Sequence, residues 1–180
     1  MIGVDEVGRG AWAGPLLVCA ARLNVPVVGL KDSKQLSAKQ RQVLAKEIIT
    51  TADIGYGWVE ATELDSIGLA AALRLATRRA LGEIKPHINE EIIIDGTINF
   101  APEYGAMTLV KADQKVAAVS AASIVAKVTR DAHMLKLARI YPAYGFDTHV
   151  GYGTAVHRLA IDQQGMCSEH RKSFKIKDKS

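Results

Sequence analysis

The chain opens with MIGVDEVGRGAWAGP (residues 1–15), an apolar run that leads two adjacent carboxylates into a glycine-rich turn. Ile2 and Val4 are typical of a β-strand, whereas Asp5 and Glu6 interrupt it. If this strand belongs to a hydrophobic hairpin, Asp5 lies near the core, where a carboxylate is costly unless a cation compensates its charge. A bound metal ion would supply that compensation.

The glycine-rich turn has two interpretations. Paired acids beside glycines usually mark an ordinary solvated turn, and Asp5 and Glu6 alone favour that interpretation. Arg9 stands between Gly8 and Gly10, however, and a cation beside two carboxylates combines anion recognition with cation binding. This combination is what a metal-assisted phosphodiester site requires.

Length and composition indicate a single domain with a substantial hydrophobic core. The chain has 180 residues and a formal net charge of +4. It shows no apolar run long enough to span a bilayer and no signal-peptide pattern, so we expect a cytoplasmic protein. Cys19 and Cys167 lie far apart without metal-ligand spacing, and we expect both to be free thiols.

Basic residues are concentrated in the C-terminal segment. Residues 166–180 contain five basic and two acidic side chains, a local balance of +3: Arg171, Lys172, Lys175, Lys177 and Lys179 against Glu169 and Asp178. Two interpretations of this basic tail stay open. It binds nucleic acid through the phosphates, or it is merely disordered and solvated.

Hydrophobic periodicity and turn residues place the other elements along the chain. Further strands are predicted over residues 12–23, 52–60, 91–95 and 107–110. Helices are predicted over residues 38–50, 69–84, 113–140 and 155–163. Ser37 and Thr154 are suitable N-caps for the first and last of these helices. Loops are predicted over residues 61–68 and 141–152.

Two more acids follow apolar segments. Asp95 ends the run of three isoleucines in residues 91–95, which is typical of a strand buried on both faces. An Asp-Gly pair at a strand end is often only a turn, but open α/β sheets place ligand-binding groups at this position. Asp113 on its own is explained as a charge-favourable helix start. Beside Asp5, Glu6 and Asp95 it becomes a candidate fourth carboxylate.

Two polar segments are weaker candidates for substrate contacts. Ser33 and Lys34 belong to a loop that is either an ordinary surface turn or a phosphate contact. Tyr152 ends a loop rich in aromatic residues and glycine. It either packs against the protein or stacks on a nucleotide sugar or base.

Taken together, these motifs resemble the bacterial ribonuclease HII family of type 2 ribonucleases H. The matching stretches span nearly the whole chain in the family's order: IGVDEVGRGAWAGPLLVCA, LKDSKQLS, IIIDG, KADQKVAAVSAASIVAKVTRD, YGFDTHVGYGTAVH and EHRKSF. The resemblance implies an α/β ribonuclease H-like fold, with a central mixed five-stranded sheet flanked by helices. It divides the chain into a catalytic part (1–145) and a small C-terminal helical extension with the basic tail (146–180), effectively one domain.

The resemblance also implies roles for individual residues. It assigns the catalytic, metal-binding acids to Asp5, Glu6, Asp95 and Asp113. Their oxygen ligands would hold two divalent ions, Mg²⁺ or Mn²⁺. It implies that substrate is bound by Gly8, Arg9 and Gly10 at an RNA–DNA junction, by Tyr152 at the ribose, and by Ser33 and Lys34 near the backbone.

The implied reaction is hydrolysis of the RNA strand in RNA/DNA hybrids and cleavage 5′ of single ribonucleotides embedded in duplex DNA. The products would be 3′-hydroxyl and 5′-phosphate ends, with roles in ribonucleotide excision and in RNA removal during replication. The implied partners are the hybrid and the ribonucleotide-containing duplex, bound by a monomer, with a possible replication-clamp contact through the basic tail.

Three alternatives accompany this interpretation. One is another nuclease or recombinase of the same fold, against which the Gly8–Gly10 turn and Tyr152 argue. Ribonuclease HIII is disfavoured because the chain has no room for that family's extra N-terminal domain. The third is a non-catalytic hybrid-binding protein, which would be expected to lack at least one of the four acids.

Overall fold

A computed structural model describes residues 1–30 and 36–176, and within them the strands form one mixed sheet. The strands are β1 (Ile2–Val7), β2 (Leu16–Leu23), β3 (Ala52–Val59), β4 (Ile92–Asp95) and β5 (Met107–Leu109). Their order across the sheet is β3-β2-β1-β4-β5. The pairs β1–β2 and β2–β3 are antiparallel, whereas β1–β4 and β4–β5 are parallel. The mixed five-stranded sheet is therefore confirmed.

Helices cover both faces of this sheet. In chain order they are α1 (Ala38–Thr51), α2 (Ala61–Ile67), α3 (Leu69–Ile84), α4 (Ala117–Ile140), α5 (Phe146–His149) and α6 (Ala155–Gln164). The start of α1 is defined by a reciprocal capping box between Ser37 and Gln40. Across residues 1–30 and 36–176, none of the helices combines the length and apolarity that crossing a bilayer needs.

The two faces of the sheet bury separate cores. Side chains of β1, such as Ile2 and Val4, pack with Leu73 and Leu81 of α3 on one face. The other core joins the sheet to α1 and α4. Because side chains alternate along a strand, Gly3 and Asp5 point to the α4 face. A Cβ on Gly3 would lie 2.1 Å from the Val119 backbone nitrogen, so α4 crosses directly over β1.

Most predicted elements are confirmed to within a few residues. Helix α3 has the predicted bounds, and α6 extends only one residue beyond them, after the predicted Thr154 cap. Strands β3, β4 and β5 lie where periodicity placed them. Both cysteines are free thiols, with Cys19 buried and Cys167 half-buried.

Two predicted boundaries were wrong at the N-terminal hairpin and at residues 61–68. Strand β2 begins at Leu16, because the backbone before it pairs with the C-terminal segment: Trp12 N–H donates to the Gly151 carbonyl at 2.8 Å. Residues 61–68 contain α2 rather than only a loop. This short helix forms because Ala61 and Leu64 are buried against the core.

Two further corrections concern the segments that precede the long helix and follow it. Helix α4 begins at Ala117, and Asp113 lies in a separate 3₁₀ turn, Ala112–Gln114, because Lys111 has a positive φ of 56°. The predicted loop 141–152 contains the helix α5 and a 3₁₀ turn, Pro142–Tyr144.

The segment that follows α4 packs against the β1–β2 connection. Ala13 forms a β-bridge with His170, and Gly14 N–H donates to the Glu169 carbonyl at 2.8 Å. These contacts tie residues near both ends of the chain into one unit. The division into a catalytic part and a C-terminal extension stays a prediction.

Close packing of α3 on β3 generates a stability prediction. A Cβ on Gly57 would lie 1.8 Å from the Ala76 carbonyl oxygen, so Gly57→Ala must push the helix from the sheet. We expect it to lower the free energy of unfolding by about 2 kcal/mol. The matched control is Gly82→Ala, where nothing lies within 4 Å of the added Cβ. Because alanine favours a helix more than glycine does, this change should raise the free energy of unfolding by about 0.5–1 kcal/mol. Urea denaturation followed by circular dichroism measures both, and a Gly57→Ala variant as stable as the parent would contradict this packing.

Candidate active site

Two carboxylates lie side by side where adjacent parallel strands end. The last paired residues of β1 and β4 are Val4 and Ile94, so Asp5 and Asp95 occupy the next position of each strand. Neighbouring strands lie about 4.8 Å apart. Because Ile93 packs toward Val119 of α4, alternation puts Asp95 on the α4 face, the same face as Asp5.

Burial opposes the negative charge of Asp5. Together with the weaker effects of the Glu6 and Asp95 charges, it raises the Asp5 pKa from 3.8 to about 7. A hydrogen bond from Ser123 of α4 acts in the opposite direction. Asp5 therefore ionises at neutral pH only against a desolvation penalty, which a nearby cation would relieve.

Glu6 has a similar environment with one compensating cation. Burial raises its pKa, whereas Arg9 lowers it through an ion pair with an Nη1–Oε1 distance of 3.4 Å. The Arg9 side chain is half exposed. Its guanidinium is therefore accessible to an anion as well as to Glu6.

Asp95 and Asp113 are linked through one backbone amide. The Asp95 Oδ1 atom accepts a hydrogen bond of 2.6 Å from Ala112 N–H, which fastens the end of β4 to the 3₁₀ turn. Asp113 is the next residue and is buried. Its side chain lines a small cavity of 90 Å³ with Leu30 and Ser120.

The acids are gathered without forming a finished coordination sphere. Within residues 1–30 and 36–176, no three His, Cys, Asp or Glu side chains are arranged to hold a metal ion. The charges of Glu6 and Asp95 nevertheless lie close enough to Asp5 to raise its pKa, and the charge of Asp95 also raises the pKa of Glu6. Their donor chemistry fits a hard divalent cation, because every donor is a carboxylate oxygen and burial penalises the negative charge.

The glycine-rich turn and Tyr152 come together despite their separation in sequence. The Tyr152 hydroxyl accepts a hydrogen bond of 3.2 Å from Gly8 N–H. Gly8 has a φ of 84°, and a Cβ there would lie 2.2 Å from Nε of Arg130. Only glycine fits this position, so the backbone of the turn reaches the phenol directly.

Arg130 is a functional candidate that the sequence analysis did not identify. It is fully buried on α4 and donates to the carbonyls of Ala13, Pro15 and Val150 at 3.2, 2.9 and 2.9 Å. Its guanidinium carbon lies 5.5 Å from the centre of the Tyr152 ring. A signal existed, because arginine interrupts the buried face of α4 between Ala126 and Met134.

Arg171, which its composition places in the basic tail, is fully buried. It donates twice to the Gly14 carbonyl, at 3.1 and 2.9 Å, and once to the Arg9 carbonyl at 3.1 Å. Burial and the charge of Arg130 lower its pKa to about 10. Arg130 and Arg171 together bind carbonyls along the turn and fix its backbone.

Three buried histidines support the loop that carries Tyr152. His149 and His157 stack with ring centres 4.4 Å apart, and Nε2 of His157 lies 3.1 Å from Nε2 of His170. His157 Nδ1 lies 3.0 Å from the Tyr152 carbonyl, and Gly151 N–H donates to His149 Nδ1. Burial lowers the His157 pKa to about 4, so His157 is uncharged at neutral pH.

Ser33 and Lys34 lie outside the described residues, so their predicted phosphate contact stays a prediction. Gly10, by contrast, is described and exposed beside Arg9. The structure thus brings together Asp5, Glu6 and Asp95 at the strand ends, with the Gly8–Gly10 turn and Tyr152 in contact beside them.

The buried charge of Asp5 predicts a stability gain on its removal. In protein treated with a chelator, Asp5→Asn should raise the free energy of unfolding, because the folded state disfavours ionised Asp5. This gain in the free energy of unfolding should grow as the pH rises from about 3.8 to about 7, and it should reach about 2–4 kcal/mol at higher pH. Urea titrations across this pH range measure it.

The control for this prediction is Asp53→Asn at the opposite end of the sheet. Arg22 lowers the pKa of Asp53 through a hydrogen bond, so this variant should gain no stability. If Asp5→Asn is no more stable than the parent above neutral pH, then Asp5 does not carry a buried charge.

Comparison with known proteins places this arrangement in a family. A family model described as Ribonuclease HII matches residues 2–177. Ribonuclease HII of Campylobacter concisus is 48% identical over 178 residues, which cover 98% of this chain and 94% of that protein.

Two solved structures share the fold. The ribonuclease HII in a PCNA:RNase HII complex from Archaeoglobus fulgidus superposes with a TM-score of 0.84 at 26% identity, covering 99% of this chain and 96% of that one. Bst-RNase HIII in complex with Mn²⁺ has a TM-score of 0.68 at 24% identity, covering 91% of this chain and 62% of that one, and supports the fold alone. With identity near one half along almost the whole length of a curated relative, the chain belongs to the ribonuclease HII family.

Proposed function

We propose that the acids at the ends of β1 and β4 hold divalent metal ions and that this site cuts next to a ribonucleotide. As a member of its family the chain is a ribonuclease H, a hydrolase of the RNA strand in RNA/DNA hybrids. The observation that carries the proposal is the placement of Asp5 and Asp95 on adjacent parallel strands. Burial of negative charge there favours a bound cation.

The proposed ligand set is Asp5, Glu6, Asp95 and Asp113. Glu6 and Asp95 lie close enough to Asp5 to raise its pKa, which supports a shared role for these three acids. The hydrogen bond from Ala112 N–H to the Asp95 carboxylate supports the fourth, since Asp113 is the next residue. Oxygen ligands suit Mg²⁺ or Mn²⁺, and we propose two ions per site. Such ions would activate a water for attack on the phosphodiester and stabilise the leaving 3′-oxygen.

Other residues of the site would orient the ligands and the substrate. The hydrogen bond from Ser123 holds the Asp5 carboxylate, and Ala112 N–H holds that of Asp95. Arg9, half exposed beside Glu6, is suited to bind a phosphate of the nucleic acid. The chain's own contribution is therefore to position carboxylates and phosphate without a covalent nucleophile.

Selectivity for a ribonucleotide is proposed to come from the Gly8–Gly10 turn and Tyr152. Recognition of RNA at a given position requires hydrogen bonding to the 2′-hydroxyl. The contact between Gly8 N–H and the Tyr152 hydroxyl brings backbone amides and a phenol to one place. Arg130 and Arg171 fix that backbone, which favours discrimination between ribose and deoxyribose. Ser33 and Lys34 are proposed to approach the nucleic-acid backbone.

The wider role follows from this chemistry. We propose cleavage 5′ of single embedded ribonucleotides, leaving 3′-hydroxyl and 5′-phosphate ends, for ribonucleotide excision and for RNA removal during replication. A monomer in the cytoplasm satisfies the proposal. The Archaeoglobus protein is described in a complex with PCNA, which supports a clamp contact here as well, through the basic tail.

Metal-dependent cleavage tests the proposal. The parent should cut a duplex containing one ribonucleotide when Mg²⁺ or Mn²⁺ is present, and it should leave an all-DNA duplex intact. Asp95→Asn should lower the cleavage rate by about 10³-fold or more because it removes a negatively charged ligand. Denaturing gels with end-labelled strands measure the rates and identify the ends.

The matched control is Asp53→Asn, the same substitution at an exposed position across the sheet. It should cleave at the parent rate. A parent that binds the ribonucleotide duplex but does not cut it with either metal would favour the non-catalytic hybrid-binding alternative. Asp95→Asn with parent activity would remove Asp95 from the ligand set.

A further inference from the structure

A cavity of about 730 Å³ lies outside the carboxylate site, and its lining includes Gly153, the residue after Tyr152. Its lining includes one aromatic side chain, two cations, one carboxylate and one hydroxyl, contributed by Trp12, Arg158, Lys175, Asp162 and Thr154. The proposed cleavage chemistry uses none of these side chains. Because Gly153 follows Tyr152, the cavity lies one residue along the backbone from the proposed ribose contact.

Trp12 is held rigidly to the same backbone that forms the turn. Its backbone N–H donates to the Gly151 carbonyl, and its backbone carbonyl accepts a hydrogen bond from the backbone N–H of Arg171, both at 2.8 Å. The indole lies against Gly153, where a Cβ would be 2.2 Å from ring atoms. The wall of the cavity therefore moves with the turn and with Tyr152 rather than independently.

Arg158 is positioned at this cavity by the indole. Its guanidinium carbon lies 5.4 Å from the centre of the Trp12 ring, a cation–π contact that orients the charge. Lys175 lines the same space, and Asp162 reduces the balance of the three charges to +1. The Thr154 hydroxyl accepts from His157 N–H at 3.1 Å as the cap of α6.

We propose that this cavity binds a backbone phosphate of the duplex that flanks the ribonucleotide; this inference rests on the proposed function. A phosphate fits better than a stacked base, because Arg158 already lies over the indole ring. Two cations around an open cavity match a phosphodiester. Arg158 and Lys175 are partly or fully exposed, unlike the buried Arg130 and Arg171, so a nucleic acid can reach them.

Salt dependence of binding tests this contact without relying on cleavage. In chelator, the affinity for a duplex with one ribonucleotide is measured by fluorescence anisotropy at several salt concentrations. One lost phosphate contact lowers the slope of log affinity against log salt by about 0.9. Arg158→Gln should show that change and bind about 3- to 10-fold more weakly at moderate salt.

The matched control is Arg74→Gln, an exposed arginine on α3 that does not line this cavity. It should keep the parent slope. Trp12→Leu keeps an apolar side chain but removes the aromatic ring that contacts Arg158. It should weaken binding of the duplex and reduce the effect of Arg158→Gln on the affinity. Circular dichroism confirms that each variant is folded, and a parent slope in folded Arg158→Gln would overturn the proposal.

Duplex length provides the second readout. The duplex is shortened on one side or the other of the ribonucleotide. The difference in affinity between the parent and Arg158→Gln should vanish for one of the two shortened duplexes. A difference that persists in both would overturn a local phosphate contact. Failure of the parent to cleave the full duplex with metal would instead contradict the proposed function, so the two failures are distinguishable.

Discussion

The structure depends on burying the Asp5 carboxylate beside Asp95 where two parallel strands end. Asp5 could not be placed there cheaply, because desolvation and the charges of Glu6 and Asp95 act against its ionised form. The sheet order makes the placement unavoidable, since β1 and β4 pair in register up to Val4 and Ile94. A divalent cation held there would relieve this conflict, so a placement that is costly for the fold would also suit the proposed catalysis.

The surrounding structure supplies the rigidity that such a site needs. Helix α4 lies directly on Gly3 and carries both Ser123, which binds Asp5, and Arg130, which binds the β1–β2 connection. Arg171 binds the same connection from the other end of the chain. Burying an arginine is costly, and here backbone carbonyls accept hydrogen bonds from both guanidinium groups. One helix therefore connects the carboxylates with the turn proposed to read the ribonucleotide.

Local patterns in the sequence predicted those strands and helices whose formation depends on neighbouring residues. A short apolar run that ends in an acid predicted β4 and Asp95, and a cap followed by 3.6-residue periodicity predicted α6. Long-range pairing was not predictable in this way. The backbone at Trp12 leaves the sheet because its partner is Gly151, far away in the chain. The burial of Arg171 likewise depends on where the C-terminal segment docks, and the basic composition of that segment does not indicate it.

Diffraction from crystals of the protein with Mn²⁺ and a ribonucleotide-containing duplex tests the central claim most directly. An anomalous difference map locates the ions without assuming their ligands. We expect peaks bound by the carboxylates of Asp5 and Asp95, with the ribonucleotide next to Tyr152. Peaks elsewhere on the protein, or ions at this edge bound by neither carboxylate, would contradict that claim.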